Sequence, residues 1–110
     1  MREREESEMI VVSGTFEVAA SDIEEAIAAA QEMAEASRLE AGCVSYEFFR
    51  DLEPVGETGR FRVFEEWLSD EALKEHFATP HMERFLGRIG GLDIRSRAIK
   101  RYRVAEVTDL

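Results

Sequence analysis

The sequence predicts an α+β fold of the ferredoxin-like type, with the element order β-α-β-β-α-β. Four segments show the two-residue alternation of apolar side chains that is typical of half-buried strands. Two further segments repeat apolar residues at helical spacing. This order is the split β-α-β arrangement, which forms a four-stranded antiparallel sheet with the helices on one face.

The first strand and the first helix are predicted within residues 9–42. Residues 9–18 alternate with apolar positions on one face, namely Ile10, Val12, Phe16 and Val18. Ser21 and Glu24 fit a capping box, which bonds free N–H groups at a helix start. The helix then carries an alanine-rich stripe suited to close packing on a sheet, and it is expected to end near Gly42. The stripe consists of Ile23, Ile27, Ala30 and Ala34.

The next two strands are predicted at residues 43–52 and 60–67, joined by a turn-rich connection. In the first of them, one face holds Val44, Tyr46 and Phe48. In the second, the core face holds Phe61, Val63 and Trp67. The alternation therefore predicts an aromatic core beneath the helices.

The second helical segment is predicted to be interrupted. Ser69 is a good N-cap, and Thr79 followed by Pro80 restarts the helix, because proline is tolerated in a first helical turn. Gly90 and Gly91 end this segment, and residues 93–104 form the last strand.

A chain of 110 residues predicts one domain, at residues 9–104, with a flexible extension at 1–8 and a tail at 105–110. No apolar run is long enough for a membrane span, and the start, MREREESE, lacks the apolar region of a secretory signal. The single cysteine, Cys43, excludes an internal disulfide and fits a reducing cytoplasm. Cys43 is interpreted as a packed strand residue, with a reactive nucleophile as the alternative.

The formal net charge of −10 argues against a nucleic-acid partner. The last strand is the exception, because residues 93–104 carry five basic residues and one acid. These charges protect an edge strand or meet an acidic surface of another subunit, or they form a patch for an anionic ligand.

The sheet face that points away from the helices is predicted to pair with a second copy of the chain. It is too apolar for water and too polar for a core, and it would hold Met9, Val11, Ser13, Thr15, Phe49, Phe64 and Ile99. A two-fold homodimer that packs sheet on sheet covers such a face.

The segment 61–85 carries the candidate site, because it runs from the only tryptophan, Trp67, to both histidines. His76 is interpreted as a general base, since an imidazole titrates near neutrality, or as a half-buried helix residue bonded to a backbone carbonyl. His81 lies at a helix start, where it contacts a substrate or is simply exposed. Trp67 is interpreted as a pocket wall or as core. No shared metal is expected, because the histidines are five residues apart and no third ligand is evident.

Tyr46 lies on the core face of the second strand, where its hydroxyl bonds a ligand oxygen or a protein group. Glu65 and Glu66 resemble a carboxylate pair only superficially. Adjacent strand residues point to opposite faces, so the two carboxylates cannot share one substrate.

With these motifs in place, the chain resembles the antibiotic-biosynthesis monooxygenase family of dimeric α/β barrels. The resemblance rests on E-x-W at Glu65–Trp67, H-x-x-T-P-H at His76–His81, and Phe85. It covers about residues 9–104. The family includes cofactor-free oxygenases of phenols and quinols, haem-degrading enzymes, and isomerases of a phosphorylated autoinducer.

Departures from the family patterns narrow the expected activity. Polyketide-oxidising members have an Asn and a Tyr where this chain has Val63 and Leu73. Haem-degrading members have an Asn, a second Trp and a haem-ligating His at about Gly14, His76 and Leu86. The His76–His81 pair resembles the quinol-monooxygenase-like and autoinducer-isomerase-like members instead.

The resemblance implies a cofactor-independent monooxygenase that acts on a small quinol or phenol with O₂. In it His76 is the base, Tyr46 orients an oxygen, and Trp67, Phe61 and Phe85 form a flat slot, with His81 contacting substrate. The sequence has no glycine-rich phosphate loop or dinucleotide fingerprint, so no nucleotide cofactor is inferred. The alternatives are an isomerase of a small oxygenated metabolite and a non-catalytic ligand-binding dimer.

Overall fold

The computed structural model describes residues 8–52 and 56–110. It contains four strands, β1 (Ile10–Ala19), β2 (Cys43–Arg50), β3 (Thr58–Trp67) and β4 (Ile94–Arg103), and three α-helices, α1 (Ile23–Ser37), α2 (Asp70–Phe77) and α3 (Pro80–Ile89). Residues 1–7, most of the predicted N-terminal extension, lie outside the described part. Within the described part, no helix is both long and apolar enough to cross a membrane.

The four strands form one antiparallel sheet in the order β2-β3-β1-β4. The ferredoxin-like α+β fold predicted from the sequence is therefore confirmed. The sheet is open, with β2 and β4 as its edges, so any closed barrel requires a second chain.

The helix-facing side of the sheet forms the core. Ile10, Trp67 and Leu73 are almost fully buried in one apolar cluster, and Phe16 and Phe61 belong to a second. The helices contact each other and β1, β2 and β3 far more than β4, and every residue of β4 is exposed. The side of the fold next to β4 is therefore open.

The predicted interruption of the second helical segment is confirmed. The Ser69 hydroxyl accepts a hydrogen bond from the backbone N–H of Ala72, and the Thr79 hydroxyl accepts one from Met82. Pro80 occupies the first turn of α3, where a missing N–H has no intrahelical partner to lose. Two capped helices of eight and ten residues result.

The capping box predicted at Ser21 and Glu24 is wrong. A short 3₁₀ turn, Ala20–Asp22, precedes α1, and no side chain caps the helix. The carboxylate of Asp22 instead accepts the backbone N–H of Asp93, at the start of β4. Helix α1 also ends at Ser37, earlier than the predicted end near Gly42.

Two side chains lie on the opposite side from the one predicted. A bulge in β2 between Cys43 and Ser45 leaves Val44 half exposed, while Cys43 packs against the core. Ile99 pairs with Gly14, whose side faces the helices, so Ile99 belongs to the helix side of the sheet. A Cβ at Gly14 would lie 2.3 Å from the Ile99 Cα, so only glycine permits this approach.

We propose that the outer sheet face, away from the helices, pairs two copies of the chain. Its apolar residues are spread over all four strands, since Phe49 lies on β2, Phe64 on β3, Val11 on β1 and Tyr102 on β4, with Tyr102 paired to Val11. Phe49 and Tyr102 are each 49% exposed in the single chain. A two-fold contact would bury this apolar surface.

Phe64→Glu should convert the dimer to a monomer, because the new carboxylate would be buried without a partner in the contact. Multi-angle light scattering at micromolar concentration should give twice the chain mass for the parent protein and one chain mass for the variant. Leu39→Glu is the matched control, since Leu39 is exposed in the α1–β2 connection and should not affect association. A monomeric parent protein would contradict the proposal.

Candidate functional site

An apolar cavity of about 610 Å³ lies between α3 and the sheet. This volume is in the range of small-molecule sites. Its walls are aromatic and aliphatic side chains, including Phe16, Phe48, Phe77, Phe85, Leu86 and Ile89. Polar groups occur in two places: Tyr46 and Glu65 at the buried inner end, and basic residues of β4 at the exposed rim.

Glu65 points to the cavity side of the sheet because alternate residues of a strand share a face, and Phe61, Val63 and Trp67 lie on that face. Its side chain is buried, and its carboxylate accepts a hydrogen bond from Trp67 Nε1 at 2.9 Å. Burial raises the pKa of Glu65 to about 7, against the opposing effect of hydrogen bonds from Trp67 and Tyr46. The cavity therefore has an acid–base group that titrates near neutrality.

Tyr46 stands beside Glu65 on β2 and is almost fully buried. Its hydroxyl donates a hydrogen bond to the Glu65 carboxylate. Burial and the Glu65 charge raise the pKa of Tyr46 well above its usual range, so the phenol stays protonated. Tyr46 thus acts as a hydrogen-bond donor at the inner end of the cavity.

His76 lies behind this inner wall and is fully buried. Its ring centroid is 4.6 Å from that of Trp67 and 5.4 Å from that of Tyr46. Its Nδ1 lies 2.7 Å from Glu40 Oε2, so a side-chain carboxylate, and not a backbone carbonyl, is its partner. Burial lowers the pKa of His76, which favours the neutral ring with Nδ1–H donating to Glu40. The other ring nitrogen, Nε2, is buried without a partner among the described residues.

His81 shares the same carboxylate oxygen as His76. Its Nε2 lies 2.6 Å from Glu40 Oε2, and its side chain is 14% exposed, so it is not a solvated helix-start residue. Glu40 comes from the α1–β2 connection, and the two histidines come from α2 and α3. This cluster of Glu40, His76 and His81 therefore joins three parts of the chain through one oxygen.

Glu40 is a third potential metal-binding group beside the two histidines, and the sequence did not reveal it. Its three ligand atoms lie within 4.8 Å of one another. Around a zinc ion with bonds of about 2.1 Å, neighbouring ligand atoms would stand about 3.4 Å apart. The observed 2.6 and 2.7 Å separations are instead those of charge-assisted hydrogen bonds. These residues could hold a metal only after moving apart.

The other predicted site residues divide between the cavity and its surroundings. Phe85 lines the cavity. Trp67 does not line it but lies behind Glu65, fully buried. Phe61 stacks on Phe16 with ring centroids 5.4 Å apart and lines a separate cleft between α1 and β2. The structure thus brings Tyr46 and Phe85 to one cavity, with Trp67 and His76 packed behind its wall.

The sequence analysis considered Glu65 only as part of a superficial carboxylate pair and of the E-x-W motif, and it did not identify Glu40. Strand parity could have identified Glu65, because the residue two before a core-facing Trp67 shares its face. No local signal marks Glu40, which lies 36 residues before His76 and meets it only through the fold. Cys43 lies partly buried in β2, and burial raises the pKa of its thiol to about 11, which disfavours the nucleophilic thiolate.

Comparison with known proteins identifies the family. A sequence profile described as antibiotic biosynthesis monooxygenase matches residues 9–88. The chain belongs to this family. Its match spans β1 to α3 and so includes Tyr46, Glu65 and both histidines of the Glu40 cluster.

Similar proteins occur in several bacteria. An uncharacterized protein of Synechocystis sp. is 39% identical over 101 residues, covering 92% of this chain and 67% of that protein. "Putative monooxygenase YcnE" of Bacillus subtilis is 34% identical over 80 residues, covering 73% of this chain and 81% of YcnE. A Caulobacter crescentus family structure shares the fold, with a TM-score of 0.82 at 24% identity, covering 96% of this chain and 97% of the other.

Glu65→Gln should change how stability depends on pH. The pKa of Glu65 is 4.5 in the unfolded chain and about 7 when folded, so its protonated form stabilises the fold below pH 4.5. This contribution is lost as the pH rises through about 7. Between pH 5 and 8 the unfolding free energy of the parent should fall by roughly 2 kcal/mol relative to the variant.

Urea unfolding at several pH values measures this difference. Glu66→Gln is the matched control, because Glu66 lies on the opposite sheet face and bonds Ser45. Its stability should run parallel to that of the parent. A Glu65→Gln profile that is also parallel to the parent would show that the Glu65 pKa is not raised.

Proposed function

We propose that this family member oxidises a small quinol or phenol with molecular oxygen in the cavity beneath α3. The observation that carries the proposal is Glu65, a buried carboxyl group with a raised pKa at the inner end of an apolar, aromatic-walled cavity. Membership of the monooxygenase family and the similarity to YcnE support the same class of reaction.

The first step assigned to the protein is removal of the substrate's phenolic proton. Glu65 is the base, because about half of its carboxyl groups are ionised near pH 7 and it lines the cavity. The aromatic walls hold the planar ring and exclude water, which keeps the resulting anion reactive. Tyr46 donates a hydrogen bond at the same end of the cavity and can orient the substrate oxygen.

The substrate anion is electron-rich enough to reduce O₂ itself. Transfer of one electron gives a semiquinone and superoxide, which combine at a ring carbon to form a C–O bond. The hydroperoxide then loses water, so one oxygen atom enters the product and the other leaves as H₂O. For hydroquinone, the balanced reaction is hydroquinone plus O₂ giving hydroxyquinone plus water.

In this scheme, His76 positions the inner wall of the cavity. Its ring packs on Trp67 and Tyr46, the two groups that donate to Glu65. His76 as the base, in line with the family resemblance, is the competing assignment, and its unpartnered Nε2 is the atom that would accept the proton. The two assignments differ in which substitution abolishes proton transfer.

A second candidate function is isomerisation of a small oxygenated metabolite. It is favoured by the same feature, because a carboxyl group that titrates near pH 7 can both accept and return a proton at a carbon next to a carbonyl. This reaction consumes no oxygen. Oxygen uptake with a quinol panel therefore separates it, and a non-catalytic binding protein, from the monooxygenase.

Glu65→Gln should lower the rate of quinol-dependent oxygen uptake by roughly 10²–10⁴-fold, because the amide cannot accept the proton. The parent's activity should rise through about pH 7, where Glu65 ionises. Oxygen-electrode assays and product mass spectrometry with ¹⁸O₂ measure both effects. Glu66→Gln should keep full activity, because its side chain lies on the other sheet face.

His76→Gln tests the competing base. If His76 only positions the wall, the variant should keep the pH profile of the parent and lose far less activity than Glu65→Gln. Unchanged oxygen uptake in folded Glu65→Gln would exclude Glu65 as the base, and a full loss in His76→Gln with a flat pH profile would assign that role to His76.

A further inference from the structure

Arg97 occupies a distinctive position at the open rim of the cavity. Register pairs it with Phe16, whose side chain faces the helices, and Arg97 lines the same cavity. It is exposed, and no carboxylate of the described residues lies within ion-pair distance of its guanidinium group. A free guanidinium group beside an apolar cavity is suited to bind an anion.

The other basic residues of β4 are occupied or differently placed. Arg95 pairs with Asp93 at 2.9 Å. Arg101 and Arg103 both pair with Asp70, at 3.0 and 2.8 Å. Lys100 pairs in register with Ser13 of the outer sheet face, although it also contributes to the lining of the cavity. Among the described strand residues, Arg97 is thus the unpaired arginine of the cavity rim.

The two ends of the cavity differ in charge. The inner end carries the Glu65 carboxyl group, whose hydrogen-bond partners within residues 8–52 and 56–110 are the neutral side chains of Trp67 and Tyr46. The rim carries Arg97. Arg101 lies nearer the level of Glu65, since both pair with Val12, but its charge is balanced by the ion pair with Asp70. The anionic group of a ligand is attracted by Arg97 at the rim and repelled by the Glu65 carboxylate at the inner end. Only the orientation with the anionic group at the rim is therefore favourable.

We infer that the substrate is an amphipathic aromatic acid, whose anionic group binds Arg97 while its hydroxyl-bearing ring reaches Glu65. This inference rests on the proposed function for the identity of the reacting end. At the other end, the guanidinium group of Arg97 binds a carboxylate, a sulfonate or a similar anion. That contact does not depend on the proposed function.

Strand spacing sets the length of such a ligand. Glu65 pairs with Val12, and Arg97 pairs with Phe16, four residues farther along β1. With about 3.3 Å per residue and about 4.8 Å between strands, the two Cα atoms lie about 16 Å apart. Both side chains project from the same sheet face, so the gap between their head groups is on the order of 10–16 Å, depending on how the long Arg97 side chain extends. A fused bicyclic aromatic ring with an acidic substituent spans this gap.

A pair of fluorescent probes tests the inference without any turnover. 8-Anilinonaphthalene-1-sulfonate and N-phenyl-1-naphthylamine share one aromatic framework, and only the first carries a sulfonate. The parent protein should bind the sulfonate probe about tenfold more tightly than the neutral probe. Arg97→Gln should remove this preference and leave the affinity for the neutral probe within twofold.

Arg84→Gln is the matched control, because it removes the same charge from an exposed position on α3 that does not line the cavity. Arg101→Gln should have a smaller effect than Arg97→Gln, since Asp70 already holds Arg101. Thermal melts confirm that each variant is folded. Equal affinity for both probes, no binding of either probe, or an equal loss in Arg84→Gln would overturn the inference.

The probe assay and the oxygen assay fail independently. Charge-selective binding without quinol oxidation would leave the anionic ligand class standing and remove the monooxygenase reaction. Oxidation of a neutral quinol at a rate unaffected by Arg97→Gln, together with equal probe affinities, would keep the proposed function and remove the anionic substrate.

Discussion

The burial of one carboxyl group, that of Glu65, organises the site. Removing a carboxylate from water costs several kcal/mol unless donors replace the lost hydration. Trp67 Nε1 and the Tyr46 hydroxyl supply those donors, and both residues are themselves buried around the carboxyl group. Because the donors only partly compensate, the pKa of Glu65 is raised to about 7. Because the two hydrogen bonds do not fully replace the lost hydration, the Glu65 carboxyl group can gain and lose a proton near neutral pH.

The Glu40 cluster supports this arrangement from behind. The Thr79–Pro80 break separates two short helices, and their histidines, His76 and His81, meet at one Glu40 oxygen. The contact ties α2 and α3 to the connection between α1 and β2. It also fixes the His76 ring against Trp67 and Tyr46. The start of α2 is tied to β4 by the ion pairs of Asp70 with Arg101 and Arg103, and the cavity lies between α3 and the sheet.

Much of the fold follows from local patterns, and the errors arise where distant parts of the chain meet. Alternation located the strands, and Ser69 and Thr79 cap the helices as their side-chain chemistry predicts. Ser21 does not cap α1, because the chain enters through a 3₁₀ turn and Asp22 bonds to the start of β4. Ile99 was assigned to the wrong face, because its side depends on pairing with Gly14.

At the candidate site, local sequence patterns identified residues that lie in or near the cavity, but they did not predict what each residue does there. Tyr46 and Phe85 line the cavity, while Trp67 and His76 lie behind it. The carboxylate at Glu65 was visible in the strand pattern, but its significance depends on burial, which only packing creates. Glu40 has no sequence signal, since its partners lie in other elements.

The most direct measurement is the titration of Glu65 by carbon-13 NMR of its side-chain carboxyl carbon, assigned by comparison with Glu65→Gln. A midpoint near pH 7 is the predicted result, because burial outweighs the two donated hydrogen bonds. A midpoint near 4.5, the ordinary value for an exposed glutamate, would contradict the account, since the cavity would then hold no group able to exchange protons near neutrality.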